Sequence, residues 1–404
     1  MVLRIILSFS LFPFIASAAD DVAGKAVNQL GLGLLRQTEG NSLISPWSLQ
    51  QSLAMVYAGA NGKTREEMKA ALGYGEDATA LHEGFKRLRE AGDALVSEVD
   101  GIKPLHSANR LFIAGILPLN SEWLELTRNS YGAEPRIQDF SNLTAATKTI
   151  NDWVSAQTEK KIPSVIPEEA LDPLTKLVIV NALYFDMPWD ELFTKELTQT
   201  APFVLSDGSN KNVPLMFKQH RQRYARKDGF QIATLPYAGA QLQFLVILPD
   251  DVKGLAKVEA ALTPELLAEC AKMPTAEVRL TLPRMKIEPP SIAMKGALQK
   301  LGMKAAFGAG ADLTGISKPG SGNDLMIDEI FHRTFIELDE NGTKAAASTA
   351  IIMRPKNGVP HEIPHVVVRC DHPFIFAIQH IPTGACLFIG RMTEPAPVAG
   401  EDHQ

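Results

Sequence analysis

Glu340-Asn341-Gly342-Thr343-Lys344-Ala345-Ala346-Ala347-Ser348-Thr349-Ala350 joins a strand-like run, Phe331 to Leu338, to a proline- and glycine-marked loop, Met353 to Pro360. Almost every residue in it is small, so it can enter a tightly packed sheet without clashing. As a strand it would alternate faces with a period of two. One face then reads Thr343, Ala345, Ala347, Thr349, Ile351, Met353, small or apolar throughout. The other reads Lys344, Ala346, Ser348, Ala350, Ile352, Arg354 and carries both charges. A segment in a loop context but patterned for a half-buried strand implies a chain with two states. A small-residue linker or an alanine-rich helix is the plain alternative, since Ala leads the helix propensity scale.

Landmarks elsewhere resemble one family in its order. Asn41-Ser-Leu-Ile-Ser45-Pro46-Trp-Ser48 and Ala58-Gly59-Ala60-Asn-Gly62-Lys-Thr64 are similar to the second-helix region of the serpins. Asn151-Asp-Trp153-Val resembles the family's helix F motif, and Val180-Asn181-Ala-Leu-Tyr184-Phe185 its central strand. Leu282-Pro283-Arg284, Ala311-Asp312-Leu313-Thr314-Gly315-Ile316, His372-Pro373-Phe374 and Leu387-Phe388-Ile389-Gly390-Arg391 continue the match. The Glu340 to Ala350 stretch falls where serpins carry the hinge of a reactive loop, about residues 340–361. The resemblance implies an α+β fold: one domain, 19–404, with three β-sheets, about eight or nine helices and an exposed loop.

Composition agrees with a large globular protein. The 404 residues are 45% hydrophobic and 21% charged, with no composition break, repeat or long linker, which favours one domain. A net charge of −6 gives no sign of a dedicated nucleic-acid binder. Arg4, the apolar run Ile5 to Ile15 and Ala16-Ser17-Ala18 read as a secretory signal peptide, 1–18, removed after Ala18. The run is too short to span a bilayer. The expected location is secreted or extracellular, periplasmic in a Gram-negative host. Cys270, Cys370 and Cys386 cannot make a disulfide framework. Cys370 and Cys386 flank a hairpin at unequal distances from its turn, which argues against a bond between them.

Local signals sketch the elements. Ser45 before Pro46 caps a helix start, and Thr64 with Glu67 predicts a capping box opening another helix. Thr144 to Thr158 reads as an amphipathic helix. Strands are expected at Leu177 to Phe185, Leu242 to Leu248, Glu277 to Ile287 and Leu325 to Leu338. Phe374 to His380, a turn at Thr383-Gly384, and Cys386 to Arg391 predict a hairpin. Antiparallel pairing broken by blocks of helix argues against a doubly wound parallel sheet.

His361-Glu362-Ile363-Pro364-His365 spells the HExxH zinc-protease pattern. That chemistry needs both histidines one turn apart on a helix. Pro364 lies inside such a helix and Pro360 just before it, which costs about 3 kcal/mol and favours extended backbone. No Gly-x-Ser-x-Gly elbow or phosphate-binding loop occurs, and Gly31-Leu-Gly33 is packing within the first helix. No metal or cofactor is expected. His332, on a strand, reads as a satisfied core histidine. In serpins the matching histidine joins a polar cluster beneath the main sheet with residues matching Ser45, Ser48 and Asn181. Trp189, Arg284 and Glu340 match contacts at the top of that sheet.

The resemblance therefore implies a secreted inhibitor, not an enzyme, that traps a serine protease by changing shape. The protease's serine attacks a loop bond; the cut hinge, Glu340 to Thr349, inserts as a strand and distorts the enzyme. No proline interrupts the hinge before Pro355, and its inward face is small. Counting from Glu340 by the family's spacing places the cut after Lys356, before Asn357, which suits a trypsin-like pocket. Arg354, followed by Pro355, and Met353 are the competitors. A non-inhibitory carrier or chaperone and a zinc protease using His361, Glu362 and His365 are the rival readings. The partner is a target protease, held covalently by a monomer. Lys218, Arg221, Arg223, Arg226 and Lys227 could bind a polyanion or line the solvated face of a hairpin. Asn142-Leu-Thr144 and Asn341-Gly-Thr343 are sequons for a eukaryotic secretory host.

Overall fold

The computed structural model describes residues 18–95, 103–115, 117–321, 325–343 and 365–395. Lys344 to Thr349, the Lys356–Asn357 bond and His361 to Pro364 lie outside these residues, as do residues 1–17.

Two strands read from the sequence form the centre. β4 (Leu177–Phe185) is buried at every residue, as its apolar composition, interrupted only by Asn181, requires of a strand covered on both faces. It pairs in parallel with β13 (Glu329–Leu338), Glu329 opposite Val178 through Phe335 opposite Tyr184. Beyond β4 the main sheet continues to β2 (Leu105–Ala114), antiparallel, and β3 (Arg136–Gln138). Beyond β13 lie β11 (Met285–Ile287) and β12 (Ile292–Ala293). At the top, β5 (Met187–Pro188) and β14 (Gly342–Thr343) complete it.

The remaining strands run in the order β1 (Ser42–Ile44), β17 (Cys386–Met392), β16 (Phe374–His380), β9 (Leu242–Pro249), β8 (Phe230–Pro236), β7 (Asn210–Lys227), β10 (Thr275–Pro283) and β15 (Val366–Arg369). The 18-residue β7 joins two sheets. Its first part pairs with β6 (Gln199–Val204) and β10, and Tyr224 to Lys227 pair with β8. The molecule thus has the three sheets of an α+β fold.

Among the described residues there are nine α-helices: α1 (Ala18–Leu35), α2 (Pro46–Ala58), α3 (Gly62–Leu72), α4 (Ala78–Ala94), α5 (Ser121–Tyr131), α6 (Leu143–Gln157), α7 (Leu255–Ala261), α8 (Pro264–Glu269) and α9 (Lys295–Lys300). None is long and apolar enough to cross a membrane. Ser45 caps α2, its side chain accepting from the Ser48 N–H. In α1, a Cβ on Gly31 would stand 3.0 Å from Pro46 and 3.3 Å from Ile389, so this glycine lets the first helix close on the second. Asn142, first residue of a sequon, caps α6 through the Ala145 N–H. The apolar stripe Ala146, Ile150, Val154 of α6 covers the outer face of the main sheet against Val178, Val180, Tyr184 and Phe331. A larger core fills the space beneath the sheet.

Three expectations fail. Thr64 and Glu67 do not cap α3, whose N-cap is Asn61. Thr64 Oγ1 accepts from the Asp312 N–H at 2.9 Å, and Glu67 from Lys304 and Ala305 N–H at 2.8 and 2.6 Å. Distant backbone donors outcompete the local pair. The single strand read from Glu277 to Ile287 is two, β10 and β11 in different sheets, parted at Arg284. The strand read from Leu325 begins only at Glu329, because Ile327 N–H is bound to Ala306. All three cysteines are free and buried.

Candidate functional site

Gly342 and Thr343 lie between the tops of the two central strands. Thr343 pairs with Leu338 at the end of β13 and, on its other side, with Met187; Gly342 pairs with Pro188. The chain therefore rises along β13, reverses at Asp339 to Asn341 and starts back down between β13 and the end of β4. Gly342 has φ 156, and a Cβ there would stand 2.3 Å from the Met187 carbonyl oxygen. Only glycine makes that approach. Thr343 is fully buried and shares a 2.7 Å hydrogen bond with the Tyr237 hydroxyl. Below this point β4 and β13 are bonded directly to each other.

An ion pair holds the turn. Glu340 is 2% exposed, and its carboxylate accepts three hydrogen bonds from Arg284: Nε at 2.9 and 3.0 Å and NH2 at 2.7 Å. Thr198 Oγ1 donates a fourth at 2.6 Å. Burial pushes this carboxyl up, but the guanidinium and hydroxyl outweigh it, and its pKa lies below the ordinary value. Arg284 can reach Glu340 because the chain changes sheets there. Trp189 fixes the same turn twice, its N–H donating to Asn341 O at 3.0 Å and its indole Nε1 to Asp339 O at 2.9 Å. Its ring stacks on Tyr237 with centroids 4.6 Å apart. The structure thus brings Trp189, Arg284 and Glu340 together. Thr198, Tyr237 and Met187 were missed, for no local pattern in the sequence ties them to the hinge.

Beneath the middle of the sheet sits the polar cluster. His332 Nε2 accepts from the Ser45 N–H at 3.0 Å, so the ring proton is on Nδ1, which donates to Asn181 Oδ1 at 2.7 Å. Complete burial pushes the His332 pKa down to about 3, against a smaller opposing effect of Asn181. The ring is neutral at physiological pH. Ser45 Oγ donates to Leu387 O at 2.7 Å. Ser48 contributes its backbone: its N–H bonds Ser45 Oγ and its carbonyl accepts from Asn109, while its hydroxyl has no partner among the described residues. Asn109 and Ser52 belong to the cluster too. They hydrogen-bond each other, and Asn181 Nδ2 reaches both, Asn109 at 3.2 Å and Ser52 at 3.5 Å. Ser52 could have been found from its place one helical turn after Ser48; Asn109 joins only through the register that sets it opposite Asn181.

The basic run is not one face. On β7, Lys218 is drawn inward over Phe193 and donates to Glu191 O; burial pushes its pKa down to about 8 despite Glu191 and Asp190. Arg226 pairs with Asp250 at 2.8 Å. Arg221 and Arg223 lie on the opposite face from Lys218, bonded to Thr275 and Gln243, with Lys227 beyond. Alternation along the strand splits the five cations. His365, the last residue of the HExxH pattern, leads directly into β15, extended backbone parallel to β10.

The comparisons agree with this architecture. The chain matches the family model for "Serpin (serine protease inhibitor)" over residues 25–395. It is 37% identical over 366 residues to leukocyte elastase inhibitor of Bos taurus, covering 88% of this chain and 93% of the relative. It is 37% identical over 393 residues to serpin B6 of Pongo abelii, covering 93% and 100%. Among solved structures it is similar to Serpin48 of Tenebrio molitor, at 30% identity and TM-score 0.81 over 94% of this chain and 100% of that one. It is also similar to the thermophilic serpin Tengpin in its native state, at 28% identity and TM-score 0.80, covering 92% and 93%. With a family match of this extent, two central strands in place and a hinge at the head of the seam where they pair, the chain belongs to the serpins, a family of protease inhibitors and not of enzymes.

Proposed function

We propose that this serpin is an exported, monomeric suicide inhibitor of a trypsin-like serine protease. The protease attacks the bond between Lys356 and Asn357 and forms an acyl-enzyme through its serine, releasing Asn357 as the new amino terminus. The hinge then descends between β4 and β13 as a new strand, carrying the protease with it before hydrolysis is complete. The position of Gly342 and Thr343 carries this reading: they already run antiparallel between the two strands. Continued in that register, Ala345, Ala347, Thr349 and Ile351 meet Ile336, Thr334, His332 and Ile330, the face toward the larger core. Small residues fit there. Lys344 falls on the other face, beside Asp186 and Glu337.

Incubation with trypsin, read on a denaturing gel, tests the proposal. The expected product is a band near the sum of the two masses that survives boiling, together with a released peptide starting at Asn357. Cleaved fragments alone, with trypsin still fully active, would leave a non-inhibitory carrier or chaperone. A peptide starting at Arg354 or Pro355 would move the bond to Met353 or Arg354. Export is supported by Arg4, the apolar run Ile5 to Ile15 and the Ala16-Ser17-Ala18 site; the mature protein should begin at Ala19.

A further inference from the structure

His372-Pro373-Phe374 marks the corner where the chain leaves β15 and enters β16. β15 is an edge strand, hydrogen-bonded along one side only, to β10, so its end relies on what this corner holds. The main chain makes two ties there. Cys370 N–H donates to Thr281 O at 2.9 Å, and Val204 N–H, at the end of β6, donates to Asp371 O at 2.8 Å. The side chains make the rest. Asp371 Oδ1 lies 3.0 Å from His372 Nδ1, and its Oδ2 accepts from Arg369 Nε. The other ring nitrogen, Nε2, lies 2.9 Å from the carbonyl oxygen of Pro249, the last residue of β9.

Both ring nitrogens of His372 therefore face acceptors. A carbonyl oxygen has no proton to give, and Asp371, bonded to a guanidinium, is a carboxylate. A neutral imidazole donates from one nitrogen and accepts at the other; only the imidazolium donates from both. His332 shows the contrast, since its Nε2 accepts from a backbone N–H. We propose that His372 is a proton-dependent clasp: charged, it ties the end of β15 to the end of β9 through Asp371 and Pro249, and on losing its proton it releases one of them and frees the corner.

The charged groups around the ring agree with this. Burial disfavours the imidazolium, but Asp371, the Pro249 carbonyl and Asp251 in the turn after β9 together outweigh it, and the ring titrates above its ordinary 6.5. Arg369 shares the Asp371 carboxylate, and Asp250 is taken by Arg226 at 2.8 Å. A group that binds its proton more tightly when folded stabilises the fold fully below its unfolded midpoint. That contribution is lost as pH rises from 6.5 through the folded midpoint. Alkali is thus the stress on this corner, whereas acid is the stress on the cluster around His332.

NMR of the histidine ring nitrogens in the unaltered full chain tests the charge, so no variant has to fold for this part. At pH 6.5 His372 should be mostly doubly protonated, with a midpoint above that value, while His332 is neutral in the same spectrum. A His372 ring that is mostly neutral at pH 6.5 would overturn the clasp. Asp371→Asn should lower the midpoint and Arg369→Gln, by freeing the carboxylate, should raise it. Hydrogen exchange of the Val204 and Cys370 amides, corrected for the intrinsic effect of pH, reports the corner itself. Their protection should fall between pH 6.5 and the measured midpoint, about tenfold for each unit separating the two, and His372→Gln should abolish that dependence. Constant protection in the unaltered chain, or the same fall in His372→Gln, would overturn the clasp even with the ring charged. No protease enters either measurement, so failure here leaves the inhibitor reading untouched.

Discussion

Thr343 and Tyr237 share a 2.7 Å hydrogen bond inside a fully buried site, so the hinge enters the sheet before any loop bond is cut. The parity of the sequence alone places Thr343 on a face buried only after insertion. Its burial comes earlier, and this changes how the hinge is to be tested.

Arginine at position 343 would disturb two states at once. Thr343→Arg should lower the melting temperature of the uncut protein and reduce covalent complex, because burying an unpaired charge costs several kcal/mol. Ala347→Arg isolates the second effect: it should leave the uncut protein stable yet turn it into a substrate, cleaved at the same bond with little complex. Lys344→Arg, on the opposite face, should inhibit almost normally. The ratio of complex to cleaved inhibitor on a denaturing gel decides; equal behaviour of Ala347→Arg and Lys344→Arg would refute the alternating strand.

Gly342→Ala probes the same entry point through the backbone. Its Cβ would collide with the Met187 carbonyl, and an alanine at this φ adds strain of about 1–3 kcal/mol. The variant should unfold at lower denaturant and show altered tryptophan fluorescence, since Trp189 stacks on the tyrosine that Thr343 contacts. Unchanged denaturation and fluorescence would mean that the hinge is not held there.

Arg284→Ala strands the Glu340 carboxylate without its main partner. Arg284 is half exposed, so water can replace part of what is lost, and a destabilisation of about 2–3 kcal/mol is expected. Glu340→Gln keeps the shape and neutralises the charge, and should recover part of that loss when combined with Arg284→Ala. A double-mutant cycle in denaturant measures the coupling; a coupling near zero would contradict the buried pair.

Acid should loosen the sheet through His332. Its pKa in the folded state is about 3, against 6.5 ordinarily, so between those values the unfolded chain binds the proton and the folded chain does not. Stability is full above about pH 6.5 and falls as pH drops, by about 1.4 kcal/mol per unit for one group. His82 and His380, each pushed down to about 4 by burial, act in the same direction. His332→Gln should therefore reduce the slope of unfolding free energy between pH 6.5 and 4.5 without abolishing it. An unchanged slope would exclude His332 as a contributor.

Much of this architecture was legible from residue pattern because local and long-range demands coincide. The apolar run of β4, the Ser45-Pro46 start of α2 and the hairpin turning at Thr383-Gly384 all lie where their chemistry points. The failures share one cause: a side chain or break committed to something far away in sequence. Thr64 and Glu67 have the spacing of a local cap but bind backbone near residues 304 and 312. Arg284 looks like a residue within one strand, and its true role, pairing with Glu340, depends on the chain leaving one sheet for another. Asn109 and Ser52 carry no distinguishing motif until the register of β2 with β4 and the pitch of α2 bring them to Asn181.

The placement of β16 and β17 has a consequence for biosynthesis. Among the described residues they are the last strands in chain order, yet Phe374, Phe376 and Phe388 are fully buried at the centre of the molecule, and β17 pairs with β1. The hinge and the loop are made first. Contacts between the two ends of so long a chain form slowly, and a chain shortened before Phe374 loses two interior strands of this sheet and should not fold.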